Sequence, residues 1–456
     1  MIISKYVHRF PFDGYTAYYH SLRMKPVFLT TEEAEVFEEA MRNGVKPPLS
    51  NETLEALKEY LIVTDSDEGI IDYVRSHVPD PYICLAYFVL SEQCNLACKY
   101  CFLGNADIEA PKVTKYPMSH ETADKALAFF ARQTREDMSQ FNDEKEIIFY
   151  GGEPLVNFDT LKYVVERSRY YQEQHLLGPK LKFSMITNGT LLNEEIVQFL
   201  IDHKINVSIS IDGADEAKNS NRVLRAGGLA FPHIIRKLRL AQSMGLRFGL
   251  SITLSEETIK DVQSLINLLD DLDVDSVCFN ILLKSKNFGV EKNYYINATD
   301  FIIDFYEKTK DKGVYEDRFM RKLKAFAESG LYFSDCAATS GSQIVITPDG
   351  QVGICHGAME KREHFIGSID DENLVVGKNA EVNHWNHLSP VFKEECQNCE
   401  ALGICGGGCP VNAQKLNNTA SIDAIDKAFC IHAKKVLEYL IGELLKYSVR
   451  EAEECV

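Results

Sequence analysis

Residues 90–104 read LSEQCNLACKYCFLG, which sets Cys94, Cys98 and Cys101 in C-x3-C-x2-C spacing directly after an apolar run, ICLAYFVLS at 83–91. The run reads as a strand and the cysteines as the loop that leaves it. In an alternating β/α architecture that loop lies at the carboxyl end of the strand, where active sites sit. Three thiolates on one short loop can hold three irons of a cubane and leave the fourth iron open to an outside ligand, unlike a closed four-Cys site. A structural zinc site is the competing reading of closely spaced cysteines.

Outward from this loop, apolar β-rich runs alternate with helical patterns, the signal for βαβ units and a parallel sheet. The strands expected after the first are EIIFYGG, LKFSMITNG, NVSISIDG, RFGLSITLS and SVCFNILL. The helices between them include ETADKALAFFARQ, LKYVVERSRYY, NEEIVQFLIDH and LAFPHIIRKLRLAQSM. Six alternations predict an α/β fold built on a partial (β/α)6 barrel over 79–315. Beyond about residue 316 the alternation stops, and 316–435 is Cys- and Gly-rich, with GICGGGCP at 403–410. The last part, 436–456, continues an amphipathic helix with Val436, Leu440 and Leu444 in one stripe.

Residues 1–78 form a separate unit that ends at the Pro79-Asp80-Pro81 breaker. Two β-rich runs flank Asp13-Gly14, a strong hairpin signal, and a third run, PVFL, follows. Thr30 and Glu33 have capping-box spacing before Ala34, Phe37 and Met41. A second helix begins near Ser50, and IVTDSDEGI reads as strand and turn. The pattern predicts a winged-helix-like module.

The chain has 456 residues, 45% of them apolar, with 49 Lys plus Arg against 67 Asp plus Glu, a net charge of −18. That excludes collagen-like, disordered and small disulfide-scaffold classes. The negative charge disfavours nucleic acid and anionic membrane surfaces as partners. The amino-terminal MIISKYVHRFPFDGY has no signal-peptide h-region, and no run approaches the ~18 apolar residues of a membrane span. A cytoplasmic location is expected, so the 13 cysteines read as ligands or nucleophiles rather than disulfides. Cys84 and Cys278 lie in apolar strand runs and read as small buried hydrophobes. Cys455 lies in the tail, where it does not make a prenylation box.

A second motif, Gly151-Gly152-Glu153-Pro154, closes the next strand, where glycines let backbone approach a ligand and a carboxylate can take an ammonium. Thr187-Asn188-Gly189 and Ser210-Ile211-Asp212-Gly213 close two later strands, and Arg222 follows twelve residues after Ser210. Singly, each of these also reads as turn capping or a surface ion pair. Together, C-x3-C-x-Tyr-C, GGEP, TNG, SxDG and the downstream Arg resemble the radical S-adenosylmethionine (radical SAM) enzymes. The resemblance implies a 4Fe-4S cluster on Cys94, Cys98 and Cys101. It assigns Gly151, Gly152, Glu153 and Pro154 to the methionyl amino group of SAM, and Asn188, Ser210 and Arg222, within motifs that include Asp212, to its ribose and carboxylate. The usual Pro after SxDG is Ala214 here.

Cys336, Gly350-x4-Cys355, Cys396-x2-Cys399-x5-Cys405-x3-Cys409 and Cys430 resemble the SPASM extension of radical SAM enzymes, which holds two auxiliary 4Fe-4S clusters. By that resemblance a distal cluster takes Cys396, Cys399, Cys405 and Cys430, and a proximal one takes Cys336, Cys355 and Cys409. Relatives with a full proximal site carry a Cys about six residues before the first, where this chain has Gly330. An open iron follows as an expectation. A zinc-ribbon-like staple is the alternative for this region.

The amino-terminal unit resembles the PqqD-like recognition domains of peptide-maturing enzymes, which bind a leader peptide as an added strand. The whole resemblance implies an enzyme that cleaves SAM reductively and crosslinks a ribosomally made precursor peptide, a thioether being favoured. It further implies three 4Fe-4S clusters and an electron donor such as a flavodoxin or ferredoxin. Anaerobic sulfatase maturation is the second enzyme reading. Against it stand the extra unit before the first cysteines and His356 after Cys355, where those enzymes carry an Asp base. A metal-stabilised peptide-binding scaffold is the non-enzyme alternative.

Overall fold

The computed structural model describes residues 1–104, 116–282 and 289–454. After β1 (Ile2–Ile3) comes an antiparallel meander of β2 (Val7–Phe12), β3 (Tyr15–His20) and β4 (Lys25–Thr30). The first hairpin turns at Asp13-Gly14 as expected, with Gly14 at φ +73°. α1 (Thr31–Asn43) starts in a complete capping box, in which the Thr30 hydroxyl accepts the Glu33 N–H and the Glu33 carboxylate accepts the Thr30 N–H. α2 (Asn51–Glu59) is capped by Ser50. Phe37, Leu54 and Leu57 from these helices close over Tyr18, Val27 and Leu29 of the sheet, forming a small core of their own.

The expected wing is reduced to β5 (Val63–Thr64), which pairs antiparallel with β1, and α3 (Ile70–Arg75) follows. The other face of β3 does not face water. Ala17 and Tyr19 enter the main core, where Tyr19 stacks on Phe326 at 6.2 Å. The meander is therefore buried on both faces, and β2 and β4 are its edges.

The main sheet is made by β6 (Leu85–Ser91), α4 (His120–Gln133), β7 (Lys145–Gly151), α5 (Phe158–Glu173), β8 (Leu181–Thr187), α6 (Glu194–Asp202), β9 (Asn206–Ile211), α7 (Phe231–Ser243), β10 (Phe248–Leu254), α8 (Val262–Leu272), β11 (Ser276–Ile281) and α9 (Tyr294–Thr309). These six strands are the six expected, and all pair in parallel in chain order.

The sheet extends beyond them at both ends. β12 (Tyr315–Glu316) adds in parallel to β11, and α10 (Asp317–Glu328) follows it. β13 (Gln343–Ile346), from the Cys-rich part, adds in parallel to β6, and β14 (Gln351–Gly353) and β15 (Phe365–Ser368) continue antiparallel. The division expected at 315/316 thus falls inside a strand. α11 (Ala380–Asn386), α12 (Leu402–Cys405), α13 (Pro410–Asn417) and α14 (Lys427–Glu454) complete the chain. The division expected at 435/436 falls inside α14.

Along the parallel strands Ala86, Phe88, Ile147, Phe149, Ile209, Ile211, Leu250 and Ile252 are fully or almost fully buried on one face. The opposite, inner face carries Tyr87, Tyr150, Ser184, Ser208, Ser210, Ser251, Cys278 and Asn280, all half-exposed. The strands therefore alternate rather than being apolar throughout. Cys278 lies on the inner face because Val277 and Phe279 take the core positions. Cys84 and Cys278 are both partly buried. Cys455 lies outside the described residues.

Candidate active site

β6 delivers the first cysteine loop and β7 delivers the GGEP turn beside it. The two backbones are bonded, with the Gly152 N–H on Ser91 O at 2.8 Å and the Glu153 N–H on Gln93 O at 3.0 Å. Gly151 sits at φ +137°, and a Cβ there would lie 2.1 Å from Ser91 O. A Cβ on Gly152 would lie 2.4 Å from Gln93 O. What these glycines approach within the chain is the backbone just before Cys94.

Glu153 is fully buried. Its carboxylate accepts the Thr187 hydroxyl at 2.7 Å, the Asn188 N–H at 2.8 Å and the Leu155 N–H at 3.0 Å. Burial pushes its pKa up to about 6, against the pull of these donors. The carboxylate thereby locks the GGEP turn to Thr187-Asn188. Asn188 in turn donates to Asn95 Oδ1 at 2.9 Å and faces Cys94 Sγ at 3.7 Å.

The cysteine loop is held from its other side by residues 221–225. Leu96 bridges antiparallel to Leu224, and the Lys99 N–H donates to Asn221 O at 3.0 Å. Arg225 Nε donates to Cys94 O at 3.0 Å. Arg222 and Asp212 form a buried ion pair, Nε to Oδ1 at 2.8 Å, and the Tyr100 hydroxyl donates to the other Asp212 oxygen at 2.5 Å. Burial opposes the Arg222 charge, but Asp212, Tyr100 and Cys98 outweigh it and hold the guanidinium charged. Asp212 is therefore committed to Arg222 and Tyr100, and its backbone N–H to Asn219. Ser210 lies on the inner face in register with Ser251 of β10.

Cys94, Cys98 and Cys101 lie within electrostatic range of one another, and burial pushes the Cys94 and Cys98 thiols up to about 12. The later cysteines gather in two groups. Cys409 senses Cys355 and Cys336, while Cys396, Cys399, Cys405 and Cys430 sense one another. Among the described residues no two cysteines are joined in a disulfide. Among the described residues no three His, Cys, Asp or Glu side chains converge on a single-ion point. Groups of thiols with the charged Arg222 beside Cys98 and the buried Lys322 beside Cys405 suit thiolate-bound, anionic iron–sulfur clusters.

Between the first cysteine loop and the Cys336/Cys355/Cys409 group lies an aromatic set on the inner face. Tyr87 and Tyr150 pack on His356 at 4.6 and 5.0 Å and on each other at 5.5 Å, with Phe102 at 6.1 Å from His356. Burial pushes His356 down to about 4, so its ring is neutral at pH 7. Sequence reasoning passed over Tyr87, Tyr150, Asn95, Asn219 and Arg225, none of which carries a local signal. Tyr100 stood inside the C-x-Tyr-C motif and gave the one signal available.

Residues 88–269 match the model of the radical SAM superfamily. The chain carries a radical SAM domain and is an enzyme. The match covers the cysteine loop, GGEP, TNG, SxDG and Arg222, and radical SAM chemistry requires a 4Fe-4S cluster and SAM. The chain is 26% identical over 387 residues, 80% of this chain and 76% of the relative, to the radical SAM cyclopropyl synthase TigE of Paramaledivibacter caminithermalis. It is 25% identical over 373 residues, 78% and 95% of the two chains, to a cysteine-type anaerobic sulfatase-maturating enzyme of Clostridium perfringens. The structure of Streptococcus suis SuiB bound to precursor peptide SuiA shares the fold, with TM-score 0.54 and 15% identity over 94% of this chain and 99% of that one. Among the described residues no helix is long and apolar enough to cross a membrane.

Proposed function

We propose that this radical SAM enzyme crosslinks a ribosomally made precursor peptide, which residues 1–78 recognise through its leader, and that the bond formed is a thioether. The observation that carries the peptide reading is the edge position of β2, which among the described residues pairs only with β3. Beside it a groove of about 450 Å³ is lined by Ile3, Val7, Arg9, Tyr18, Met41 and Arg42. An extended peptide adds to such an edge through its backbone and is selected by side-chain pockets. The SuiB structure with a bound precursor peptide, which spans almost all of this chain, supports the same reading.

In this reading Cys94, Cys98 and Cys101 hold the SAM-binding cluster. Cys396, Cys399, Cys405 and Cys430 hold one auxiliary cluster, and Cys336, Cys355 and Cys409 hold the other. When bound, the SAM-binding cluster supplies the electron that cleaves SAM to methionine and a 5′-deoxyadenosyl radical. The chain's own contributions are separable. Glu153 fixes the GGEP turn and Asn188 against the cluster loop, and Arg222, kept charged by Asp212, offers its terminal nitrogens to a carboxylate. Tyr87, Tyr150, Phe102 and His356 wall the space between the two cysteine regions, where the target residues of the peptide would lie out of water. With three cysteines at the proximal group, a substrate thiolate has a place to bind, which favours the thioether. A ferredoxin or flavodoxin is the donor class that fits.

The test is anaerobic incubation of the reconstituted enzyme with SAM, reductant and candidate precursor peptides encoded beside it. A peptide lighter by two hydrogens, with one Cys no longer alkylatable and 5′-deoxyadenosine formed in step, supports the reading. Conversion of a Cys or Ser to formylglycine would replace it with the sulfatase-maturating alternative, which the 25% identical relative also supports.

A further inference from the structure

The first cysteine loop meets the Cys-rich part at both of its ends. On the approach to the loop, the Glu92 side chain is 8% exposed, and its carboxylate takes Arg362 Nη1 at 2.6 Å. On the way out, Phe102, Leu103 and Gly104 follow Cys101 directly. The Phe102 ring lies 6.1 Å from that of His356. Leu103 and Phe365 pack against Val89, Val345 and Met359, and a Cβ on Gly104 would stand 2.9 Å from Glu360 Oε1. Residues 356–362 therefore lie against the chain on either side of Cys94, Cys98 and Cys101.

This segment starts at a thiol of the second cysteine region and ends at Arg362. Cys355 Sγ accepts the Gly357 N–H at 3.3 Å and so opens a 3-10 turn, His356–Lys361. Arg362 closes the turn: its backbone N–H donates to Met359 O at 3.3 Å, and Nη1 donates to the same oxygen at 3.1 Å. Its φ of +55° is in the left-handed region, which a residue with a side chain keeps only where the contacts around it hold it there. Nη2 lies 3.4 Å from Asp349, in the turn between β13 and β14. The Arg362 side chain is 15% exposed, so its pair with Glu92 is largely shielded from water and salt.

Glu92 is where this tie bears on the other motifs. It stands between Ser91, whose carbonyl accepts the Gly152 N–H, and Gln93, whose carbonyl accepts the Glu153 N–H, and two residues before Cys94. The Cys355 turn, the first cysteine loop and the GGEP turn meet at this residue. Outer partners orient the ligands of a metal site, and removing one costs about ten- to a hundredfold in affinity or activity.

We propose that Arg362 is a positioning residue for SAM binding: through Glu92 it couples the Cys355 site to the loop of Cys94, Cys98 and Cys101, so that SAM binds tightly only when the proximal site is filled. The proposal rests on the reading that Cys336, Cys355 and Cys409 hold an auxiliary cluster. A filled site fixes Cys355 Sγ and with it the turn, the turn fixes Arg362, and Arg362 holds the loop against GGEP. Arg362 acts through the loop, and no step of the chemistry is assigned to it.

The experiment uses the full-length enzyme reconstituted anaerobically, with iron and sulfide counted and the fold checked by thermal unfolding. SAM affinity is measured by calorimetry, together with the change that SAM makes in the EPR signal of the reduced enzyme. Arg362→Met and Glu92→Gln should each weaken SAM binding about tenfold with the iron content kept. The double variant should be little weaker than either single one, because both remove the same contact. A lowered unfolding temperature with wild-type SAM affinity and EPR change would make the pair merely structural and overturn the proposal, as would losses that multiply in the double variant. Should Arg362→Met fail to fold, Glu92→Gln decides by the same two readouts. Cys336→Ala/Cys409→Ala leaves Cys355, the turn and Arg362 in place but prevents the proximal site from filling. It should hold about four fewer irons and bind SAM about tenfold less tightly, with Arg362→Met adding nothing further. Unchanged SAM affinity with those irons lost overturns the coupling. An iron content that does not fall overturns the cluster reading and the coupling with it, whereas Arg362→Met and Glu92→Gln still decide the positioning role.

Discussion

The Oε2 atom of Glu153 accepts the backbone N–H of Asn188 at 2.8 Å. Two of the sequence motifs, at the ends of neighbouring strands, are thereby one buried unit, and what disturbs one disturbs the other.

Glu153 gives the first prediction. Its folded pKa of about 6 stands above the unfolded carboxylate value of 4.5, with burial as the cause. The protonated form is therefore favoured by folding. The stability it contributes is full below pH 4.5 and is lost as pH rises through 6, by about 2 kcal/mol. A bound sulfonium-ammonium ligand reverses the preference, because it favours the carboxylate. SAM affinity of the loaded enzyme should fall as pH drops below about 6, and Glu153→Gln should flatten that profile. Calorimetric SAM binding at pH 5.5 and 7.5 decides. An equally steep profile in Glu153→Gln would exclude this carboxylate as the titrating group.

The Arg222–Asp212 pair predicts an asymmetric cost. Arg222→Met leaves Asp212 buried without its cation and should lower stability by about 3–5 kcal/mol. Tyr100→Phe removes one hydrogen bond to the same carboxylate and should cost about 1–3 kcal/mol. Adding Asp212→Asn to Arg222→Met should recover part of the loss, as thermal unfolding would show. Additive losses in the double variant would mean that the two residues are not coupled.

Met41 lines the groove beside β2. Met41→Glu puts a charge where an added strand would set an apolar side chain. Leader-peptide affinity should fall about tenfold, the equivalent of about 1.4 kcal/mol, while SAM cleavage without peptide is unchanged. Fluorescence anisotropy with a labelled leader checks the first and deoxyadenosine formation the second. Unchanged affinity would move leader binding elsewhere.

Gly330 has open space where a Cβ would stand, with no heavy atom within 4 Å. Gly330→Cys should therefore fold normally. If a substrate thiolate uses the open proximal iron, the added thiol should suppress crosslinking while the iron content stays at about twelve per chain. Unimpaired crosslinking by a fully ligated proximal cluster would argue against substrate ligation there.

The sequence by itself determined the parts whose cause is local. Asp13-Gly14 turns the hairpin because glycine accepts positive φ, Thr30 and Glu33 cap α1 because their spacing closes two hydrogen bonds, and strand alternation with helices ordered six parallel strands. The division of the later cysteines into two sets came from the family resemblance and not from spacing, since Cys336, Cys355 and Cys409 stand far apart in the chain. Tertiary structure decided what depends on distant chain meeting chain. Gln343–Ile346 joins Leu85–Phe88 across some 250 residues of chain, and no property of either run specifies that partner. Gly151 and Gly152 look the same in sequence whether they face a ligand or the Gln93 backbone. Nothing in the sequence tells that Arg222 and Tyr100 each bond one of the Asp212 carboxylate oxygens. Lys322 carries no motif at all, yet the fold buries it fully beside Asp335, and burial is a property only of the folded chain.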